Sequence, residues 1–197
     1  MNKIEIICGI AAPLAQPNVD TDQLMPGRFL SRPRGEGFAE QLFHDLRFRP
    51  DGSKNPYFIL NQEPFARSTI LLGGLNFGCG SSRESAAWAL VDYGFACVIA
   101  SSFADIFQSN CDKNSLLAVL LPDNVLQELA ALVHRNPDFQ LEVDLRSERV
   151  RGPEGFEATF HMDPFRRQLL LEGVDEFDYT RSKLREIEAF EADYVGR

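Results

Sequence analysis

The chain has 197 residues, 44% of them hydrophobic, which is enough to bury a proper core and suits one folded domain. Twenty Lys and Arg against 29 Asp and Glu leave a net charge of −9 with no basic stripe, so nucleic acid has no electrostatic support as a partner. No run approaches the roughly 20 apolar residues of a membrane span, and Glu5 and Pro13 spoil a signal-peptide core; no membrane partner is expected and the expected location is cytoplasmic.

In chain order, Ile4 to Cys8 reads as a first strand. Asn18-Val19-Asp20-Thr21-Asp22 reads as a polar turn ahead of Leu24-Met25-Pro26, where aspartates ordinarily cap backbone N–H groups. The segment at about 27–66 carries Pro33, Gly35, Gly37, Pro50, Gly52, Pro56 and Pro64, too much punctuation for regular structure throughout. A loop of that length is usually functional or disordered, and its aromatic residues Phe29, Phe38, Phe43, Phe48, Tyr57 and Phe58 argue for packing rather than disorder.

Thr69 to Leu72 is a short apolar run that reads as a buried strand, and Ser85 to Leu90 is rich in helix formers. Between them lies Gly73-Gly74-Leu75-Asn76-Phe77-Gly78-Cys79-Gly80-Ser81-Ser82-Arg83-Glu84, a glycine-rich turn that opens a helix. Helix starts favour anions, and an arginine there can hold a carboxylate bidentately. The turn lacks the Lys-Ser/Thr of a P-loop, the third glycine of a dinucleotide fingerprint and the Gly-x-Ser-x-Gly of a nucleophile elbow. What remains is two serines beside an arginine, suited to a small carboxylate; the plain alternative is that the serines only cap the helix.

Ala96 to Ala100 reads as the next strand, completing a strand, helix, strand unit of the kind that builds parallel sheets, so the expected fold class is α/β. Ser102 to Phe107 is expected to be a short helix, Asn110 to Asn114 a polar turn, and Leu116 to Leu121 a strand. Asp123 caps a helix whose apolar positions 125, 126, 129, 132 and 133 form a core stripe. Phe139, Leu141, Val143 and Leu145 alternate as a half-exposed strand, paired as a hairpin with 156–160 through the turn at Gly152-Pro153-Glu154-Gly155. Helices at Pro164 to Leu171 and Lys183 to Tyr194 close the chain, and the acidic excess from Glu172 to Asp193 reads as a solvated face. Cys8, Cys79, Cys97 and Cys111 form no Cys-x-x-Cys pair and stand apart from His44, His134 and His161, so no metal site is expected in this chain.

Three ordered segments, Asn18 to Pro26, Asn76 to Glu84 and Ser102 to Phe107, together with Asp163-Pro164-Phe165-Arg166-Arg167, carry a resemblance over nearly the whole chain. The chain resembles the small subunits of 3-isopropylmalate dehydratase, also called isopropylmalate isomerase, in the aconitase superfamily. The resemblance implies a single swivel-type α/β domain over 1–197, with mixed strands and flanking helices. It also implies a separate large subunit as partner, which carries the [4Fe–4S] cluster, so that this chain has no cofactor of its own.

The implied chemistry is the stereospecific removal of water from 2-isopropylmalate and its return as 3-isopropylmalate, a step of leucine biosynthesis. Carried over by motif, Ser81 is the catalytic base, Ser82 supports it, and Arg83 holds a carboxylate of the small dicarboxylate substrate. Thr21 and Asp22 match the polar turn that faces this site, and Arg28, Phe29 and Leu30 fall in the segment that recognises the substrate side chain. Ser85 and Ser115 depart from the family's common pattern, which keeps open a related dehydratase acting on citramalate or homocitrate. The alternative of another class is a non-catalytic dicarboxylate-binding module.

Overall fold

The computed structural model describes residues 2–31, 33 and 37–195. Strand β1 (Ile6–Pro13) runs to a short helix α1 (Thr21–Leu24), and the next segment holds helices α2 (Phe38–Gln41) and α3 (His44–Arg47). Strand β2 (Ile70–Leu72), helix α4 (Glu84–Tyr93), strand β3 (Cys97–Ala100), helix α5 (Asp105–Lys113), strand β4 (Leu117–Leu120) and helix α6 (Asp123–Arg135) follow. Strands β5 (Gln140–Asp144), β6 (Arg149–Arg151) and β7 (Glu157–Thr159) precede helices α7 (Pro164–Glu172), α8 (Glu176–Ser182) and α9 (Leu184–Val195). The expected α/β class holds, with one seven-stranded sheet in the order β4-β3-β2-β1-β5-β6-β7 among the described residues.

The sheet changes character at β1. Its second half pairs parallel with β2, Ala11 opposite Ile70, while its first half pairs antiparallel with β5, Ile7 opposite Val143. Parallel strands lie between helices and are buried on both faces, so β2 and β3 are wholly buried, whereas β5 and β6 alternate. Helix α6 lays its Leu126, Leu129, Leu132 and Val133 side toward β1 and β3, as the apolar stripe requires.

Several expected boundaries move. Strand β1 begins at Ile6 and continues through Gly9 to Pro13, because Gly9 lets the Thr69 side chain into the space a Cβ would take. Asn110 to Asn114, expected as a turn, lies mostly inside α5, since Phe107, Asn110 and Cys111 form one buried face at helical spacing. The expected hairpin is a three-strand meander: the chain turns at residues 145–148 into β6, and the turn at Pro153–Gly155 joins β6 to β7. Helix α8 stands where no helix was expected, and none of its residues is buried.

In the 27–66 segment, Phe38, Leu42, Phe43, Phe58 and Leu60 are buried, joined by 3-10 turns at Gly27–Phe29 and Ile59–Asn61. The aromatic residues there do pack, except Tyr57, which is exposed. Gly35 lies outside the described residues.

Candidate active site

The glycine-rich turn after β2 is held by backbone bonds from two sides. The Asn18 N–H donates to the Leu75 carbonyl at 2.8 Å, and the Gly78 N–H donates to that of Val19 at 2.7 Å. The Phe77 N–H donates to the Ser102 carbonyl at 2.9 Å, and the Ala104 N–H returns a 3.0 Å bond to the Phe77 carbonyl. The three motifs singled out in sequence therefore meet at one end of the parallel strands, where open α/β sheets place their ligands. Gly78 has φ +75°, and a Cβ there would lie 2.1 Å from Phe107 Cγ, so close packing against α5 and the left-handed backbone both require glycine.

Ser81 and Ser82 are exposed in the loop ahead of α4. Neither caps the helix: Arg83 occupies the N-cap position, and its side chain makes no capping hydrogen bond to the first turn. The first turn already carries a carboxylate, Glu84, whose Oε1 accepts from Trp88 Nε1 at 3.2 Å and Asn114 Nδ2 at 2.8 Å. Beside the serines a cavity of about 220 Å³ is lined by Gly78, Gly80, Ser81, Ser82 and, from the start of α5, Ala104 to Phe107.

The aspartates of the first turn divide their work. Asp20 caps α1 in a reciprocal box with Gln23, accepting from the Gln23 N–H at 2.7 Å while Gln23 Oε1 accepts from the Asp20 N–H at 3.1 Å. That Asp-x-x-Gln spacing is visible in the sequence and marks a helix start. Asp22 instead pairs with Arg83, whose Nη1 donates to its Oδ1. Only one guanidinium nitrogen makes that contact, which leaves the other donors of the fork for a ligand. Thr21 is 1% exposed, and its hydroxyl bonds to the main chain of Ser81.

Arg28, Phe29 and Leu30 follow on the 3-10 turn. Arg28 is bound to Asp45 through both guanidinium Nη atoms, Nη1 at 2.8 Å from Oδ2, and its Cζ lies 4.5 Å from the Phe29 ring centroid. That hydrogen bond holds the Asp45 carboxyl below the usual carboxylate range. Phe29 packs against His44 with ring centroids 5.0 Å apart, and Leu30 is 44% exposed. Gly27 ties this turn to the site: a Cβ there would meet both Arg83 Nη1 and Asp22 Oδ1 at 3.4 Å. The two departures from the family pattern lie elsewhere. Ser85 is buried in α4, and the Ser115 hydroxyl accepts from the Asn2 N–H.

Among the described residues no group of three or more His, Cys, Asp or Glu converges as ligands would. Cys97 and Cys111 are fully buried, and that burial pushes both thiols up, away from the thiolate a metal needs. Among the described residues, no helix is long and apolar enough to cross a membrane.

The family model described as Aconitase C-terminal domain matches residues 1–124, and the one described as LeuD_N matches residues 127–164. The 3-isopropylmalate dehydratase small subunit of Rhodospirillum centenum is 45% identical over 192 residues, covering 98% of this chain and 95% of its own length. That of Methylobacterium radiotolerans is 46% identical over 197 residues, covering 100% of this chain and 98% of its own. A solved structure titled 3-isopropylmalate dehydratase (leuD), from Methanocaldococcus jannaschii, superposes with a TM-score of 0.66 over 93% of this chain and 99% of that one. At 24% identity it bears on the fold alone, which it matches. With its three motifs meeting at one loop cluster and relatives of this identity over almost its whole length, the chain belongs to the family of 3-isopropylmalate dehydratase small subunits.

Proposed function

We propose that this chain is the small subunit of a two-subunit hydro-lyase that converts 2-isopropylmalate to 3-isopropylmalate by dehydration and rehydration, with Ser81 as its base. The observation that carries the reading is the exposed Ser81, presented from a glycine-rich turn two residues from the Arg83 that pairs with Asp22. The names of the relatives favour this substrate over citramalate or homocitrate, and over a module without chemistry.

In this reading Ser81 Oγ takes the proton from the carbon beside a substrate carboxylate. The hydroxyl leaves the neighbouring carbon as the double bond forms, and the elements of water then return with proton and hydroxyl on exchanged carbons. A serine oxygen is basic enough only as the alkoxide, which the charge of Arg83 and the donor of Ser82 favour. Arg83 holds a carboxylate with the donors that Asp22 leaves free, while Asp22 keeps the guanidinium in place. The [4Fe–4S] cluster, on the large subunit, supplies a Lewis acid at the departing hydroxyl.

In this reading the exposed Leu30 meets the isopropyl group, Phe29 anchors the turn against His44, and Arg28 pins it through Asp45. The chain acts as one swivel unit over 1–197 in the cytoplasm, with the large subunit and the substrate as its partners. The test is anaerobic turnover of 2-isopropylmalate and of citramalate by this chain mixed with its cognate large subunit. Conversion of isopropylmalate by the native mixture, lost in Ser81→Ala, is the expected result. Conversion of citramalate alone refutes the substrate, and undiminished activity of Ser81→Ala refutes the base.

A further inference from the structure

The Thr21 hydroxyl makes two hydrogen bonds, and both go to one residue. Thr21 Oγ1 donates to the Ser81 carbonyl at 2.9 Å and accepts from the Ser81 N–H at 3.0 Å. A hydroxyl has one proton and two lone pairs, so a single group serves both main-chain partners of the same residue. The Thr21 N–H adds a third tie, to the Cys79 carbonyl at 2.9 Å, within a parallel bridge between Asp20 and Cys79.

Nothing local holds Ser81 in this way. Gly78 and Gly80 lie in the left-handed region at φ +75° and +91°, and α4 does not begin until Glu84. Among the described residues the one short-range tie is the Arg83 N–H, which donates to the Ser81 carbonyl at 2.7 Å. Nor is the Thr21 hydroxyl needed to start α1, because Asp20 and Gln23 already close that helix end. A buried threonine whose hydroxyl makes both of its hydrogen bonds to the main chain of one exposed serine has a purpose that core packing does not supply.

We propose that Thr21 is a positioning residue: its hydroxyl clamps the Ser81 main chain and so aims the Ser81 side chain at the substrate, without itself touching substrate. This rests on the reading of Ser81 as the base, and it gives Thr21, expected in the polar turn that faces the site, an indirect role in place of substrate contact. Misplacing a reacting group by an ångström can cost on the order of a hundredfold in rate, so the effect falls on kcat rather than on KM.

The test compares Thr21→Val, which keeps the shape and removes the hydroxyl, with Thr21→Ser, which keeps the hydroxyl, each in the reconstituted complex. Thr21→Val is expected to lower kcat by about ten- to a hundredfold with KM changed less than about twofold, and Thr21→Ser to restore most of it. In the isolated full chain, amide exchange at Ser81 should be slow in the native protein and in Thr21→Ser, and fast in Thr21→Val. Native kcat in Thr21→Val, or equal loss in both variants, overturns the proposal. So does slow exchange at Ser81 in Thr21→Val. If the native complex turns over no 2-isopropylmalate, the assigned function fails instead, and the exchange measurement still decides whether the clamp exists.

Discussion

The two loops at the mouth of this site are held by different forces. The turn bearing Ser81 is tied by backbone bonds to the loops after β1 and β3, and its closest packing is against Phe107 of α5. The turn bearing Arg28, Phe29 and Leu30 is tied by an exposed ion pair, Arg28 to Asp45, and by ring contacts between Phe29 and His44. Backbone ties are indifferent to side-chain identity and hold a position closely; exposed ion pairs contribute little and tolerate exchange. On the proposed function, the closely held turn is the place for chemistry and the adaptable one the place for recognition.

The largest effect that sharpens this contrast is on chemistry. Ser81→Ala should lower turnover by about 10²- to 10⁴-fold, the range for removing a general base, while assembly with the large subunit, followed by gel filtration, stays native. Arg83→Lys should lower kcat/KM by about thirtyfold, since a lysine cannot reproduce the fork that serves Asp22 and a carboxylate together.

On the rigid side, Gly78→Ala should cost about 3 kcal/mol in denaturant unfolding, because the new Cβ strikes Phe107 and sits at positive φ. A loss below about 1 kcal/mol would mean that the turn is far more pliable than its contacts imply. On the adaptable side, Leu30→Ala should leave stability unchanged and shift the preference between isopropylmalate and citramalate by about tenfold toward the smaller substrate.

The smallest effect belongs to the ion pair. Asp45→Asn should change stability by less than about 1 kcal/mol and less still in high salt. Because Arg28 lowers the Asp45 carboxyl in the folded state, this contribution is present above the ordinary carboxylate range, about pH 4, and is lost as the pH falls through the lowered value. A larger loss on acidification in the native protein than in Asp45→Asn, read from thermal midpoints, is the expected sign.

Where burial wrote a pattern into the chain, elements were legible. The runs that became β2, β3 and β4 are apolar because helices cover both faces of the parallel half, and the α6 stripe follows from one buried side. Strand β6 escaped because Arg149-Val150-Arg151 shows a single apolar residue, and α8 because it buries nothing and so has no stripe to read. The polar end of α5 resembled a turn, although Asn110 and Cys111 point inward from it.

The site follows the same rule. The glycine-rich turn, its serines and Arg83 stand in one contiguous stretch, so their chemistry and family resemblance could be read without coordinates. The sequence by itself also determined the strand, helix, strand unit that presents them, through local periodicity and turn chemistry. Only the tertiary structure decided that Asp20 caps its own helix while Asp22 turns to Arg83, that the serines cap nothing, and that Thr21 reaches Ser81 from 60 residues away. A threonine in a polar turn has the same local signature whether its hydroxyl meets water or another loop. Its partner is chosen by the register of β1 against β2, which brings the loops after these two strands together, and that register is a property of the whole sheet.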